Sequence, residues 1–182
     1  MNRPEDAEQF LRQLGEEGQR ALAETLNDAA SQLRKDAIDA IHGRYNLERS
    51  YVAERISVRT RANPKNLQVT ISARVRGTQL ARFDAQQQYK PGKTVPERTA
   101  GVSVNVVRNN PRATLEQAFF INLKRGNAET GNRGIAIRNS KKRDDFRILY
   151  SVSVDQAFGW FRDELEPSSD QLFDDFISRL NL

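Results

Sequence analysis

Near the start of the chain apolar positions recur at steps of three and four: Ala7, Leu11, Leu14, Gly18, Leu22, Leu26, Ala29, Leu33, Ala37 and Ile41. They fall on one stripe of a 3.6-residue period, which predicts a long amphipathic N-terminal helix. Gly15 and Gly18 each cost about 1 kcal/mol relative to Ala in a helix interior. The pattern therefore predicts a short helix ending near Leu14 and a longer one from about Glu17 to Gly43. Gly18 also lies on the apolar stripe, where a missing side chain permits close backbone approach. Gly43 reads as the C′ residue, with Arg34, Lys35 and His42 toward the negative end of the helix dipole. Asn46 is then placed to cap a second helix through about Glu54.

From Ile56 the period changes to two. Ile56, Val58 and Thr60 alternate with Ser57, Arg59 and Arg61, as in a half-buried strand. Asn63-Pro64-Lys65-Asn66 reads as a turn, and Leu67, Val69, Ile71, Ala73 and Val75 as the returning strand, ended by Gly77. Leu80-Ala81-Arg82-Phe83 predicts a short edge piece. Residues 85–100 show no period; three consecutive glutamines, Lys90-Pro91-Gly92-Lys93 and Pro96 predict a long loop. Strands are expected at about 101–108, 117–123, 134–139 and 146–153, the last two joined as a hairpin by the basic tip Ser140-Lys141-Lys142-Arg143-Asp144-Asp145.

Helix returns at the end. Asp155 is placed to cap Gln156 to about Leu165, with Phe158, Phe161 and Leu165 on one face. Ser168 with Gln171 forms a capping-box pattern before a helix whose apolar face is Leu172, Phe173, Phe176, Ile177 and Leu180. The predicted fold is α+β in one domain over 1–182: helical over 1–55, mostly antiparallel sheet with long loops over 56–153, and C-terminal helices over 155–182.

The charge distribution sharpens this picture. The net charge is +5 over 182 residues. Residues 1–42 carry 5 basic and 9 acidic side chains, residues 43–148 carry 22 and 8, and residues 149–182 carry 2 and 7. Acidic helical ends thus flank a strongly basic middle. Such a chain can meet a polyanion with its middle, or copies of itself with opposite ends, and both remain open. Zero cysteines exclude disulfides and thiolate metal sites. No stretch approaches the roughly 18 apolar residues of a membrane span, and the first residues lack the apolar core of a secretory signal. Cytoplasmic synthesis is the expectation.

Few residues point to catalysis. His42 is the only histidine, and at a predicted helix end with no partner it is better explained by dipole compensation than by acid–base work. Asp174 and Asp175 are adjacent on a helix and diverge, while Asp144-Asp145 follows three cations and reads as their neutraliser. Gly126 to Gly134 lacks the Gly-Lys-Ser/Thr ending of a phosphate loop. The expectation is a non-enzyme without cofactor or metal. The candidate partner-facing residues are the loop cations Lys90, Lys93 and Arg98, the tip Lys141, Lys142 and Arg143, and the adjacent Phe119 and Phe120. In a strand those two rings point to opposite faces, so one is expected to face away from the first core, toward a second layer or a neighbouring subunit. No helix-turn-helix, zinc-finger or ribonucleoprotein signature is present, which leaves only non-specific nucleic-acid contact.

One ordered set of blocks carries more. An alanine-rich helix runs into Arg44-Tyr45-Asn46-Leu47 and Val52-Ala53-Glu54-Arg55-Ile56. Gly101-Val102-Ser103-Val104, Ala118-Phe119-Phe120-Ile121, Gly134-Ile135-Ala136-Ile137-Arg138 and Ile148-Leu149-Tyr150-Ser151-Val152-Ser153-Val154 follow. In that order, from about Ala21 to Leu180, the chain resembles the minor tail protein Z family of long-tailed phages. Ser153-Val154-Asp155 stands where that family often continues with Gly-Pro. The resemblance implies a structural virion protein that completes the head-proximal end of a tail and enables head–tail joining. It further implies a homo-oligomeric ring in the neck, six-fold by analogy with related completion proteins. The implied partners are the tail terminator and the head-proximal connector or stopper, with non-specific contact to DNA in the channel left open.

Overall fold

The computed structural model describes residues 15–91, 99–123, 133–142 and 144–180. The short helix expected up to Leu14 lies outside them. Helix α1 (Gly15–Arg44) spans 30 residues, about 45 Å at 1.5 Å per residue. Gly15 opens it at φ 66°, a left-handed conformation that glycine adopts without strain. Gly18 rides inside the helix and is buried rather than breaking it. The other end corrects the expectation for Gly43. Helix continues through Arg44, and Tyr45 enters a β-bridge with Val107 while the Asn46 N–H donates to the Val106 carbonyl at 3.0 Å. A strand partner, not a left-handed glycine, ends the helix. Nor is Asn46 a cap, since its side-chain amide donates to the Asn105 carbonyl at 2.9 Å. The short helix α2 (Arg49–Ala53) starts after Glu48 with no side-chain cap.

Strands β1 (Ile56–Thr60) and β2 (Thr70–Ala73) form an antiparallel hairpin, and the alternation at Ile56, Ser57, Val58 and Arg59 appears as alternating burial. Gly77 does not end β2 but opens β3 (Gly77–Gln79). Residues 80–82 form a 3₁₀ turn rather than an edge strand, and Phe83 behind it is wholly buried. The glutamine run, expected in a loop, is strand β4 (Gln86–Tyr89) against β5 (Thr99–Val104), which also pairs with β6 (Ala113–Leu115). Its amides are satisfied across the sheet: Gln87 donates to the Gly101 carbonyl at 2.6 Å and Gln88 to the Ser103 hydroxyl at 2.7 Å.

A third sheet holds β7 (Ala118–Asn122), β8 (Arg133–Arg138) and β9 (Phe146–Ile148), antiparallel in that order. The single strand expected over 146–153 is two, because Leu149 straddles two sheets. Its N–H donates to the Ile135 carbonyl at 2.8 Å, and its carbonyl accepts from the Leu80 N–H at 3.0 Å. Beyond it β10 (Tyr150–Ser153) pairs with β3. Helix α3 (Val154–Leu165) is capped by Ser153 in a reciprocal box with Gln156, not by Asp155. Ser168 and Gln171 form the expected box on α4 (Ser169–Arg179). The fold is α+β, with four small antiparallel sheets among the described residues in place of one. A common core joins Ile38 and Ile41 of α1 to Val52, Ile56, Phe83, Val102, Ile135, Val154 and Ala157. Along α1, Ala37 and Ile41 of the predicted stripe are wholly buried, whereas Leu22, Leu26 and Leu33 are only half covered, on the side where α3 and α4 pack.

Candidate functional site

Of the six cations singled out from the sequence, three are described. Lys90 is exposed just after β4, and Lys141 and Lys142 are exposed on the turn between β8 and β9, a different hairpin. Lys93, Arg98 and Arg143 lie outside the described residues. Asp145 shapes this turn rather than merely neutralising it: it accepts from the Asn139 side-chain amide at 3.0 Å and, through its carbonyl, from the Asn139 N–H at 3.0 Å. Hydrogen bonds from Ser140 and Asn139 hold its carboxyl below the usual carboxylate value.

Phe119 and Phe120 point to opposite sheet faces, as strand geometry requires. Phe120 packs on the common core, with the Arg133 guanidinium 4.4 Å from its ring centre. Phe119 stands on the other face, edge-on to Phe146 at 6.3 Å and 5.0 Å from the Arg138 guanidinium. Both rings are half-buried.

His42 and Arg34 are structural. The His42 Nδ1 lies 2.7 Å from the Leu47 carbonyl, which places its proton on that nitrogen and makes it a donor. The nearby Arg108 is held instead by the His42 carbonyl, to which its Nε donates at 2.7 Å. Arg34 serves α2 rather than the dipole of α1, donating to the carbonyls of Ala53 at 2.7 Å and Ile56 at 2.8 Å. Among the described residues no group of three or more His, Asp or Glu is placed to hold a metal, and no helix is long and apolar enough to cross a membrane.

Two surfaces that the sequence reading did not assemble are the more informative. Between α1 and the α3–α4 corner runs an open groove of about 770 Å³. Its 13 lining residues include six carboxylates, Asp28, Asp36, Glu164, Glu166, Asp174 and Asp175, and no cation. Leu33, Leu165 and Leu172 form its apolar floor. Arg179 pairs with Asp28, but no cation among the described residues pairs with Glu164, Glu166, Asp174 or Asp175. Glu164 in the last turn of α3 and Glu166 at its C-cap oppose the negative end of the helix dipole, an arrangement that costs about 0.3–1 kcal/mol per charge at an exposed site.

The second surface is the outer face of the β1–β2 hairpin, a shallow depression of about 360 Å³ lined by Arg55, Arg59, Arg74, Ser57 and Ser72 with Glu54. Glu54 is taken up by Arg55 at 3.1 Å, which leaves Arg59 and Arg74 exposed toward solvent. Beyond Ala73 the chain projects Arg74-Val75-Arg76, all exposed, with Val75 at 74%. The two surfaces lie on opposite sides of α1. Asn27 exchanges two hydrogen bonds of 2.9 Å with Ala62, and Arg34 reaches β1, whereas Asp28, Gln32 and Asp36 lie on the far side of the helix, lining the groove. They are also at opposite ends of α3, because the backbone N–H of Asp155 in its first turn donates to the Arg74 carbonyl at 3.2 Å. Charge bias along the chain was the only sequence signal; it gave no hint that carboxylates from residues 28–36 and 164–175 share one groove. The chain matches no protein-family model, no curated protein and no solved structure.

Proposed function

We propose that this chain is a structural assembly protein, specifically a tail completion protein of a long-tailed phage or prophage. It would act in the virion neck as a ring, six-fold by the resemblance, between the tail terminator and the head-proximal connector or stopper. Two lines support this reading. The ordered sequence blocks resemble minor tail protein Z, and the described side chains offer docking surfaces rather than a convergent catalytic set. The observation that carries it is the placement of an acidic, apolar-floored groove and an arginine face on opposite sides of α1. Opposed complementary surfaces suit a protein that works by stacking between neighbours. The test is in vitro complementation: purified protein added to a lysate of phage lacking this gene should restore infective titre. Titre that stays at the background of the deletion overturns the reading.

The arginine face favours one alternative. Arg55, Arg59 and Arg74 beside the hydroxyls of Ser57 and Ser72 are groups that bind a phosphate backbone without reading bases. On that reading duplex DNA affinity falls steeply with salt, with a slope that Arg59→Ala and Arg74→Ala each reduce by about one.

A further inference from the structure

The acidic groove is a local conflict that the isolated chain does not resolve. Two glutamates sit at the wrong end of a helix dipole, and Asp174 and Asp175 add like charge across the gap. Beneath them Leu33, Leu165 and Leu172 are only half covered. Local arrangements that contradict helix electrostatics concentrate at functional or strained sites. Whatever fits must bring cations flanking an apolar group. The chain carries such an element: Arg74-Val75-Arg76, two exposed arginines on either side of a valine that is 74% exposed, with Arg74 beside Arg59 in the hairpin depression.

We infer that the groove between α1 and the α3–α4 corner receives the Arg74-Val75-Arg76 projection and the neighbouring Arg59 of a second copy of this chain. Val75 would rest on the leucine floor, and the arginines would face Glu164, Glu166, Asp174 and Asp175. The two surfaces lie on opposite sides of α1 and at opposite ends of α3, whose 12 residues span about 18 Å. One subunit therefore offers its groove and its projection to different neighbours. The contact is heterologous, so it propagates into a closed ring or an open filament, not a two-fold dimer. This deepens the assembly reading above by naming the contact, but it stands on the two surfaces alone and requires no phage role.

The test uses the full chain and two charge reversals. One variant carries Asp174→Lys and Asp175→Lys; the other carries Arg59→Glu and Arg74→Glu. All four positions are exposed, and circular dichroism checks that each variant folds. In sedimentation velocity at low salt the native chain should run as an oligomer, and each variant alone as a monomer. Mixed in equal amounts, the variants should associate again, because each groove then meets a projection of opposite sign. For the native chain, association should also weaken at least tenfold between 50 mM and 500 mM NaCl, which tests the same contact should either variant misfold. A native chain that stays monomeric, or folded variants that associate as the native chain does, overturns the inference. So does a monomer that binds duplex DNA and loses that binding in the arginine variant, which assigns the arginine face to nucleic acid. Oligomerisation as expected together with failed complementation by the native chain would retain this contact and reject the tail completion role.

Discussion

Gly101 leaves no room for even a methyl group. It lies in β5 at φ 97°, and a Cβ there would collide with the Leu115 carbonyl oxygen and stand 2.6 Å from the Glu116 Cα. Gly101→Ala is expected to destabilise the chain by more than about 3 kcal/mol, combining left-handed strain with overpacking. Urea unfolding measures it, and a loss below about 1 kcal/mol would contradict the close crossing of β5 and β6. Thr78 is the opposite case. It is wholly buried and its hydroxyl has no partner among the described residues, so Thr78→Val should raise stability by about 1 kcal/mol by removing an unpaired polar group. A lower melting temperature would show that the hydroxyl is bonded after all. Neither residue was legible in the sequence, because what surrounds each is decided by strands distant along the chain. The sequence did show that Phe119 and Phe120 part to opposite faces, since strand geometry alone requires it.

At the scale of elements, legibility followed local physics. The two-residue period at Ile56–Thr60 and the Ser168–Gln171 box involve neighbours a few residues apart, and both appear as expected. The glutamine strand and the division at Leu149 are set by partners across a sheet, which no period records. Each helix cap yields a prediction. Ser168→Ala should cost about 1 kcal/mol, and Ser153→Ala more, because Ser153 is 1% exposed and starts α3 against the core; equal losses would contradict that difference. The β8–β9 turn responds to pH. Hydrogen bonds from Ser140 and Asn139 stabilise the charged Asp145, so its folded value lies below its unfolded one. The resulting stability is present above the unfolded carboxylate value and disappears as pH falls through the lower, folded value. Thermal melts of the native chain and Asp145→Asn should therefore differ at pH 7 and converge in strong acid. A gap that does not change with pH would contradict this.

At the scale of the whole molecule, composition showed the sign of each region but not its geometry. Acidic ends and a basic middle are plain in the sequence; their arrangement as a groove and a projection on opposite sides of α1 depends on how α3 and α4 fold back. That arrangement suits a protein that works by docking, and the resemblance to minor tail protein Z makes a phage neck its proposed setting. For the proposed phage role the most direct measurement is electron microscopy of a lysate in which this gene has been deleted from the candidate phage or prophage. Filled heads and full-length tails lying separate are the expected outcome. Intact particles, joined as in the parent, would contradict it.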